Sequence, residues 1–155
     1  MNKKIYFHIL FFALILYVTQ KVQAQVNSDW QLIGLTPAGY NVLDGIEALF
    51  QINVCDGKDV IYIKFINRNV YSVKVEWVDA VFTEELKWIN KDNVADKKTL
   101  TIPANGEVKG ECSNSTTDVL MKSGKELVVE MKNFVANKKD FKRYSASFFK
   151  VIAVK

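Results

Sequence analysis

The stretch of residues 59–79 constrains the fold more than any other part of this chain, because apolar and polar residues alternate along it. An alternation with a period of two is the pattern of a β-strand that buries one face and exposes the other. In the second half of the stretch, the two faces are Tyr71, Val73, Val75 and Trp77 on one side and Ser72, Lys74 and Glu76 on the other. The pattern therefore predicts strands at the centre of the fold.

Asn67-Arg68-Asn69 interrupts the alternation and predicts a hairpin loop. Residues that lie opposite each other in an antiparallel pair share a face, so a three-residue loop is needed to set odd-numbered residues against odd-numbered ones. This register would place Ile63 opposite Val73. We therefore expect a β-hairpin whose odd-numbered face builds the core, with Trp77 among the buried residues.

Residues 1–24 have the three parts of a secretory signal peptide: a basic start, an apolar run and a small-residue cleavage site at Val22-Gln23-Ala24. We expect cleavage before Gln25, which leaves residues 25–155 as a single domain of a size that can build its own core. The apolar run is short for a bilayer-spanning helix, so we expect no membrane span after cleavage.

Removal of the predicted signal peptide changes the charge and the available chemistry. The full chain has 21 basic and 17 acidic residues, and three of the lysines precede Gln25, so the mature chain would carry 18 basic and 17 acidic residues. A net charge near zero provides no electrostatic basis for nucleic-acid binding. The single histidine, His8, would also be removed, which excludes histidine-based acid–base chemistry, Ser-His-Asp and Cys-His pairs, and histidine metal sites.

Further strand patterns occur before and after this stretch, separated by turns. They are residues 30–33, 45–54, 99–102, 107–112, 127–131 and 144–154. Cys55-Asp56-Gly57-Lys58 predicts a turn before the central stretch, and Pro103-Ala104-Asn105-Gly106 predicts the turn of a second hairpin. With about seven short strands and no long amphipathic helix outside the signal, the sequence predicts an all-β antiparallel sandwich.

Trp77 lies on the inward face of a central strand, between the only two cysteines, Cys55 and Cys112. Together with the strand pattern and a bias towards lysine, asparagine and isoleucine, this arrangement resembles the small exported immunoglobulin-like β-sandwich proteins of Bacteroidetes-type bacteria. The resemblance covers most of residues 25–155. It implies an immunoglobulin-like sandwich that is exported, and it implies no active site.

The two cysteines are expected to form a disulfide, since disulfides persist in the oxidising compartments that exported proteins reach. Cys55 and Cys112 end strands that flank the predicted core, so we expect a bridge across the sandwich. Two separate thiols are the alternative. Neither cysteine belongs to a C-x-x-C motif, which argues against a redox-catalytic role.

The outer face of the expected hairpin is the candidate binding surface. Tyr62, Ile66 and Val70 would share that face, and Trp88 lies in the charged stretch 84–96 that follows. Such an apolar patch marks either a binding site or a surface that another segment of the chain covers. The candidate cover is the stretch 84–96, and the candidate partners are an envelope protein or a glycan.

We expect an exported, periplasmic or extracellular protein that is non-catalytic, has a binding or scaffolding role in the bacterial envelope, and needs no cofactor or metal. A glycan-binding module that uses exposed aromatic residues is the first alternative. A carboxylate-based hydrolase is the second alternative. Its candidate residues, Glu84 and Glu85, are adjacent in the chain, so in a strand they would point to opposite faces.

Overall fold

The structure, a computed structural model, describes residues 29–36, 38–112 and 125–154. The predicted signal peptide lies outside the described residues, so its presence and cleavage remain predictions. The regular structure of the described residues consists of ten strands and four 3-10 segments of three residues each. The 3-10 segments are Val94–Asp96, Lys125–Leu127, Met131–Asn133 and Lys138–Asp140. The all-β prediction is confirmed.

The ten strands form two antiparallel sheets, named sheet A and sheet B. Sheet A contains β1 (Gln31–Leu32), β2 (Val42–Leu43), β3 (Ile46–Cys55), β4 (Lys58–Asn67), β8 (Glu107–Lys109) and β9 (Val128–Glu130). Sheet B contains β5 (Val73–Thr83), β6 (Trp88–Ile89), β7 (Lys98–Ile102) and β10 (Phe141–Ala153). Buried side chains from both sheets form one continuous hydrophobic cluster, so the sheets pack face to face as a sandwich.

β3 and β4 form the long hairpin of sheet A, with Asp56-Gly57 as its turn. Both turn residues have a positive φ, 51° at Asp56 and 75° at Gly57, as a two-residue type I′ turn requires. The register pairs Cys55 with Lys58 across the turn. The turn predicted at these four residues is confirmed, and the aspartate–glycine pair is its sequence signal.

β4 and β5 do not form the predicted hairpin. β4 pairs with β3, β8 and β9 in sheet A, whereas β5 pairs with β6, β7 and β10 in sheet B. The prediction is wrong because alternation shows only which residues face inward. Two strands with apolar inward faces can be neighbours in one sheet, or they can pack against each other from opposite sheets. The predicted core face is correct at Ile63, Val73 and Trp77. Phe65 and Trp77 meet from opposite sheets, with ring centroids 5.0 Å apart.

The connection between β4 and β5 crosses from sheet A to sheet B, and the buried side chain of Asn67 holds it. Its Nδ2 donates to the carbonyl oxygens of Tyr71 and Pro103, each at 2.9 Å. Its Oδ1 accepts a hydrogen bond from the backbone N–H of Asn69 at 2.9 Å. Tyr71 and Val70 lie in the exposed part of this crossing, so the expected core position of Tyr71 is wrong.

The second predicted hairpin is wrong for the same reason. β7 pairs with β5 in sheet B and β8 pairs with β4 in sheet A, so residues 103–106 also cross between the sheets. The two crossings are joined by hydrogen bonds. Asn67 N–H donates to the Gly106 carbonyl at 2.8 Å, and Asn105 N–H donates to the Asn69 carbonyl at 2.9 Å. Each crossing therefore stabilises the other.

The disulfide prediction is confirmed in its pairing and wrong in its position. Cys55 and Cys112 are bonded to each other. Cys55 ends β3 and Cys112 follows β8, and both of these strands belong to sheet A. The bridge therefore does not join the two sheets, as the disulfide of antibody domains does.

Candidate functional site

The four residues of the predicted binding face lie on three different parts of the molecule. Tyr62 and Ile66 are on β4 in sheet A, Val70 lies in the crossing, and Trp88 is in β6 of sheet B. The exposed fraction is 6% for Tyr62 and 81% for Val70. Trp88–Ile89, the strand within the stretch 84–96, pairs with β5, so it lies in sheet B and not over the β4 face as predicted. The structure therefore brings together only Tyr62 and Ile66.

Trp88 instead belongs to a row of aromatic and cationic side chains on sheet B. The register places Phe82 on β5 beside Trp88 on β6 and beside Arg143 on β10. The Phe82 and Trp88 ring centroids are 5.0 Å apart. Arg143 Cζ lies 5.0 Å from the Phe82 centroid and 5.2 Å from that of Trp88, distances at which a cation is attracted to the ring face. The two rings thus hold the guanidinium group in place.

A groove of about 780 Å³ lies beside this aromatic–cation row. Its volume falls within the range of roughly 300–1,000 Å³ that is typical of small-ligand sites. Seven consecutive residues of β10, from Arg143 to Phe149, line it, together with residues of the segment that follows β1. The other lining residues are Leu32, Gly34, Leu35, Thr36, Ala38, Gly39, Trp88, Lys91 and Asp92. Because neighbouring strand residues alternate in direction, a wall of consecutive residues shows that the groove follows the edge of β10.

An irregularity in β10 places an aromatic ring in the groove. One extra residue lies between Ser147, which pairs with Val78, and Lys150, which pairs with Glu76. Within this bulge Phe148 has a φ of 51°, and its exposed fraction is 53%. The extra residue reverses the alternation, so that Phe149 rather than Phe148 packs on the core, 5.6 Å from the ring of Phe65. The left-handed backbone of an aromatic residue costs free energy, and Phe148 nevertheless remains half exposed.

Two cations at the groove have no carboxylate partner within the described part of the chain. Lys91 Nζ lies 5.7 Å from the Trp88 centroid, on the same ring that Arg143 approaches. The neighbouring Lys142 differs, since its Nζ lies 3.6 Å from a carboxylate oxygen of Glu84. Lys91 and Arg143 thus present positive charge to the groove.

The two glutamates that were predicted as a carboxylate pair each interact with a different lysine. Glu84 pairs with Lys142, and Glu85 accepts a hydrogen bond from Lys87 Nζ at 2.9 Å. All four side chains are largely exposed. This arrangement does not place two carboxyl groups on either side of a cleft, as the hydrolase alternative requires.

Asp79 is the centre of a buried polar network that the sequence reasoning missed. Its carboxylate accepts hydrogen bonds from Trp77 Nε1, at 2.8 Å, and from the Tyr144 hydroxyl, and it pairs with Lys98 Nζ at 2.6 Å. Burial, and then the negative charge of Asp79, raise the pKa of Tyr144 well above its usual value, so the phenol stays protonated and donates. The available signal was an acidic residue on the inward face of β5, two positions after Trp77.

The network around Asp79 is satisfied, which indicates a structural role. Among the described residues, no buried side-chain nitrogen or oxygen lacks a hydrogen-bond partner. A carboxylate that is enclosed by three donors specifies how β5, β7 and β10 pack together, since an unpaired buried charge would be strongly destabilising. We therefore place the candidate binding chemistry in the groove and not at Asp79.

The disulfide region contains the one metal-like cluster found in the described part of the chain. Cys55, Asp56 and Cys112 offer potential ligand atoms that all lie within 4.8 Å of one another. The two sulfur atoms are bonded to each other, and a metal ligand requires the free thiolate. The cluster is therefore explained by the disulfide.

Comparison of the chain with protein-family models, with curated proteins and with solved structures finds no match. Among the helical segments of the described residues, none is long and apolar enough to cross a bilayer.

Proposed function

We propose that the protein is an exported, non-catalytic sandwich of the immunoglobulin-like type that binds a ligand in the bacterial envelope. The observation that carries the proposal is the groove beside β10. It is lined by an exposed aromatic ring and by two cations that have no carboxylate partner among the residues the structure describes. A large groove with a few convergent polar groups is the usual form of a ligand site.

The strained bulge supports the choice of this groove. Phe148 adopts a backbone conformation that costs about 1–2 kcal/mol for a non-glycine residue, and its ring remains exposed. The bulge lets Phe149 pack on the core and leaves the Phe148 ring at the groove, and strained residues are common where a ligand binds. A ligand in the groove would therefore cover an aromatic ring that the fold leaves half exposed.

Export is supported by the predicted signal peptide and by the disulfide between Cys55 and Cys112, which is compatible with an oxidising compartment. The non-catalytic character is supported by the absence of histidine after the signal peptide and by the separate ion pairs of Glu84 and Glu85.

A glycan-binding module is the second candidate, and Trp88 together with Phe148 favours it. Aromatic residues beside a groove with polar lining are suited to sugar rings, which present both apolar faces and hydroxyl groups. The other ligand type is an envelope protein that inserts a segment into the groove.

Thermal unfolding of the exported protein, with and without polysaccharide and protein fractions of the envelope, tests the proposal. A ligand at 100 times its Kd stabilises the native state by about 2.7 kcal/mol. We expect one fraction to raise the Tm of the wild type and of Val70→Ala, an exposed control outside the groove, but not that of Phe148→Ala. If no fraction raises the Tm, or if Phe148→Ala responds as fully as Val70→Ala, then the groove is not the binding site. Chemical change of the bound material would contradict the non-catalytic assignment.

A further inference from the structure

We propose, on the basis of the function proposed above, that the groove beside β10 recognises a saccharide that carries carboxylate groups, such as a short chain of uronic acids. The inference rests on the charge at the groove, on the chemistry of its lining and on the position of its aromatic rings.

The charge of the groove differs from that of a second hollow, whose three cations are all paired with carboxylates. This smaller hollow of about 160 Å³ is lined by Lys58, Lys132 and Lys138, and each of them lies within 3 Å of a carboxylate oxygen of Glu130 or Asp59. Lys91 and Arg143 have no such partner within the described ranges, although both lie close to the same ring. An anion in the groove would complete two interactions that the protein leaves open.

The geometry of Arg143 suits a carboxylate. Its guanidinium group lies about 5 Å from two aromatic centroids, so the rings restrict its motion before a ligand binds. A guanidinium group presents paired N–H donors that match the two oxygens of a carboxylate, and this pairing is stronger than a neutral hydrogen bond. Ordering the group in advance lowers the entropic cost of binding.

The lining favours a saccharide over an acidic peptide. Thr36, Ser145 and Ser147 bring hydroxyl groups to the groove, and the carboxylate of Asp92 lines it without an ion pair among the described residues. The Asp92 carboxylate accepts hydrogen bonds, and a sugar ring offers several hydroxyl donors beside its carboxylate, whereas an ionised acidic side chain offers none. Two cations and one carboxylate leave a net charge of one, which suits a ligand whose carboxylates are each carried on a hydroxyl-rich ring.

Isothermal titration calorimetry with three matched pairs of oligosaccharides tests the inference. The probes are uronic-acid oligosaccharides, namely oligogalacturonate, oligoalginate and oligoglucuronate, each with its methyl-esterified form, which has the same rings but no charge. We expect at least one acid to bind and its ester to bind about ten-fold more weakly or worse, as is typical when a hydrogen bond to a charged group is lost. We also expect the affinity for the acid to fall as salt rises.

Substitutions test whether the two cations cause the difference in affinity between the acid and its ester. Arg143→Gln and Lys91→Gln should each lower the affinity for the acid about ten-fold and leave the affinity for the ester nearly unchanged. The matched control is Lys142→Gln, which removes the adjacent cation that pairs with Glu84 and should bind as the wild type does. Arg143→Lys should bind with intermediate affinity, because it keeps the charge and loses the paired donors.

The outcomes separate this inference from the function on which it depends. Equal affinity for acid and ester would overturn acidic recognition and leave a neutral glycan site. Binding of oligoglutamate with the same dependence on Arg143 and Lys91 would show that the partner is an acidic peptide. If no acidic saccharide binds while an envelope fraction still stabilises the protein through Phe148, the ligand class is wrong and the binding function stands.

Discussion

Replacing Asp79 by alanine should destabilise the protein by about 3–5 kcal/mol, because it removes the acceptor at the centre of a buried network. The carboxylate accepts hydrogen bonds from Trp77 Nε1 and the Tyr144 hydroxyl, and both of these residues are almost completely buried. Each buried donor that is left unpaired costs about 1–3 kcal/mol.

The contribution of Lys98 to this loss is smaller. Its side chain is 26% exposed and its Nζ also donates to the Glu126 carbonyl at 2.8 Å, so the ammonium group keeps a partner and can turn towards water. The two buried donors and a weakened ion pair together account for the expected range. For a domain of this size the loss corresponds to a decrease in Tm of roughly 10 °C or more.

Urea unfolding at pH 7, followed by far-UV circular dichroism, measures the change in the free energy of unfolding and in the m-value. The control is Asp92→Ala, an exposed aspartate at the groove, which should remain within about 0.5 kcal/mol of the wild type. Asp79→Asn should lie between the two, because it keeps one acceptor and loses the charge. A loss below about 1 kcal/mol for Asp79→Ala, with an unchanged m-value, would refute the buried network.

Four further predictions concern single features of the fold. Trp77→Ala should cost about 3–5 kcal/mol, as is typical of a large core ring, and a Tm within two degrees of the wild type would show that the ring is not in the core. Reduction of the Cys55–Cys112 bridge, whose partners are 57 positions apart, should lower the free energy of unfolding by about 4 kcal/mol, whereas two free thiols in denatured, unreduced protein would show that no bridge forms. The folded-state pKa of Tyr144 is raised above its unfolded value of about 10, so its contribution to the free energy of unfolding should be fully present below pH 10 and should be lost as the pH rises further. Tyr144→Phe should remove this part of the alkaline decline in Tm. Phe148→Gly should raise stability by about 1 kcal/mol while weakening binding in the groove, and a destabilised Phe148→Gly would show that the ring serves the fold.

Much of the local structure could be predicted from the sequence, because its causes are local. Alternation placed Ile63, Val73 and Trp77 on inward faces, and an aspartate–glycine pair indicated the turn between β3 and β4. Two cysteines in a chain with a predicted export signal indicated their bond. The candidate site was predicted less well: Trp88 lines the groove, but Tyr62, Ile66 and Val70 do not.

Only the tertiary structure decided which sheet each strand joins, and the site followed from that decision. Alternation is the same whether a strand meets its neighbour within a sheet or across the core, so it cannot distinguish a hairpin from a crossing. The crossing depends on Asn67, whose side chain bonds the backbone at Tyr71 and at Pro103, 36 positions away. In the same way, the bulge at Phe148 is defined by the pairing of β10 with β5, which the sequence of β10 alone does not show. Neighbouring residues in the sequence determine which segments are strands and which side chains face inward. Hydrogen bonds between distant parts of the chain determine which sheet each strand joins and where the groove forms.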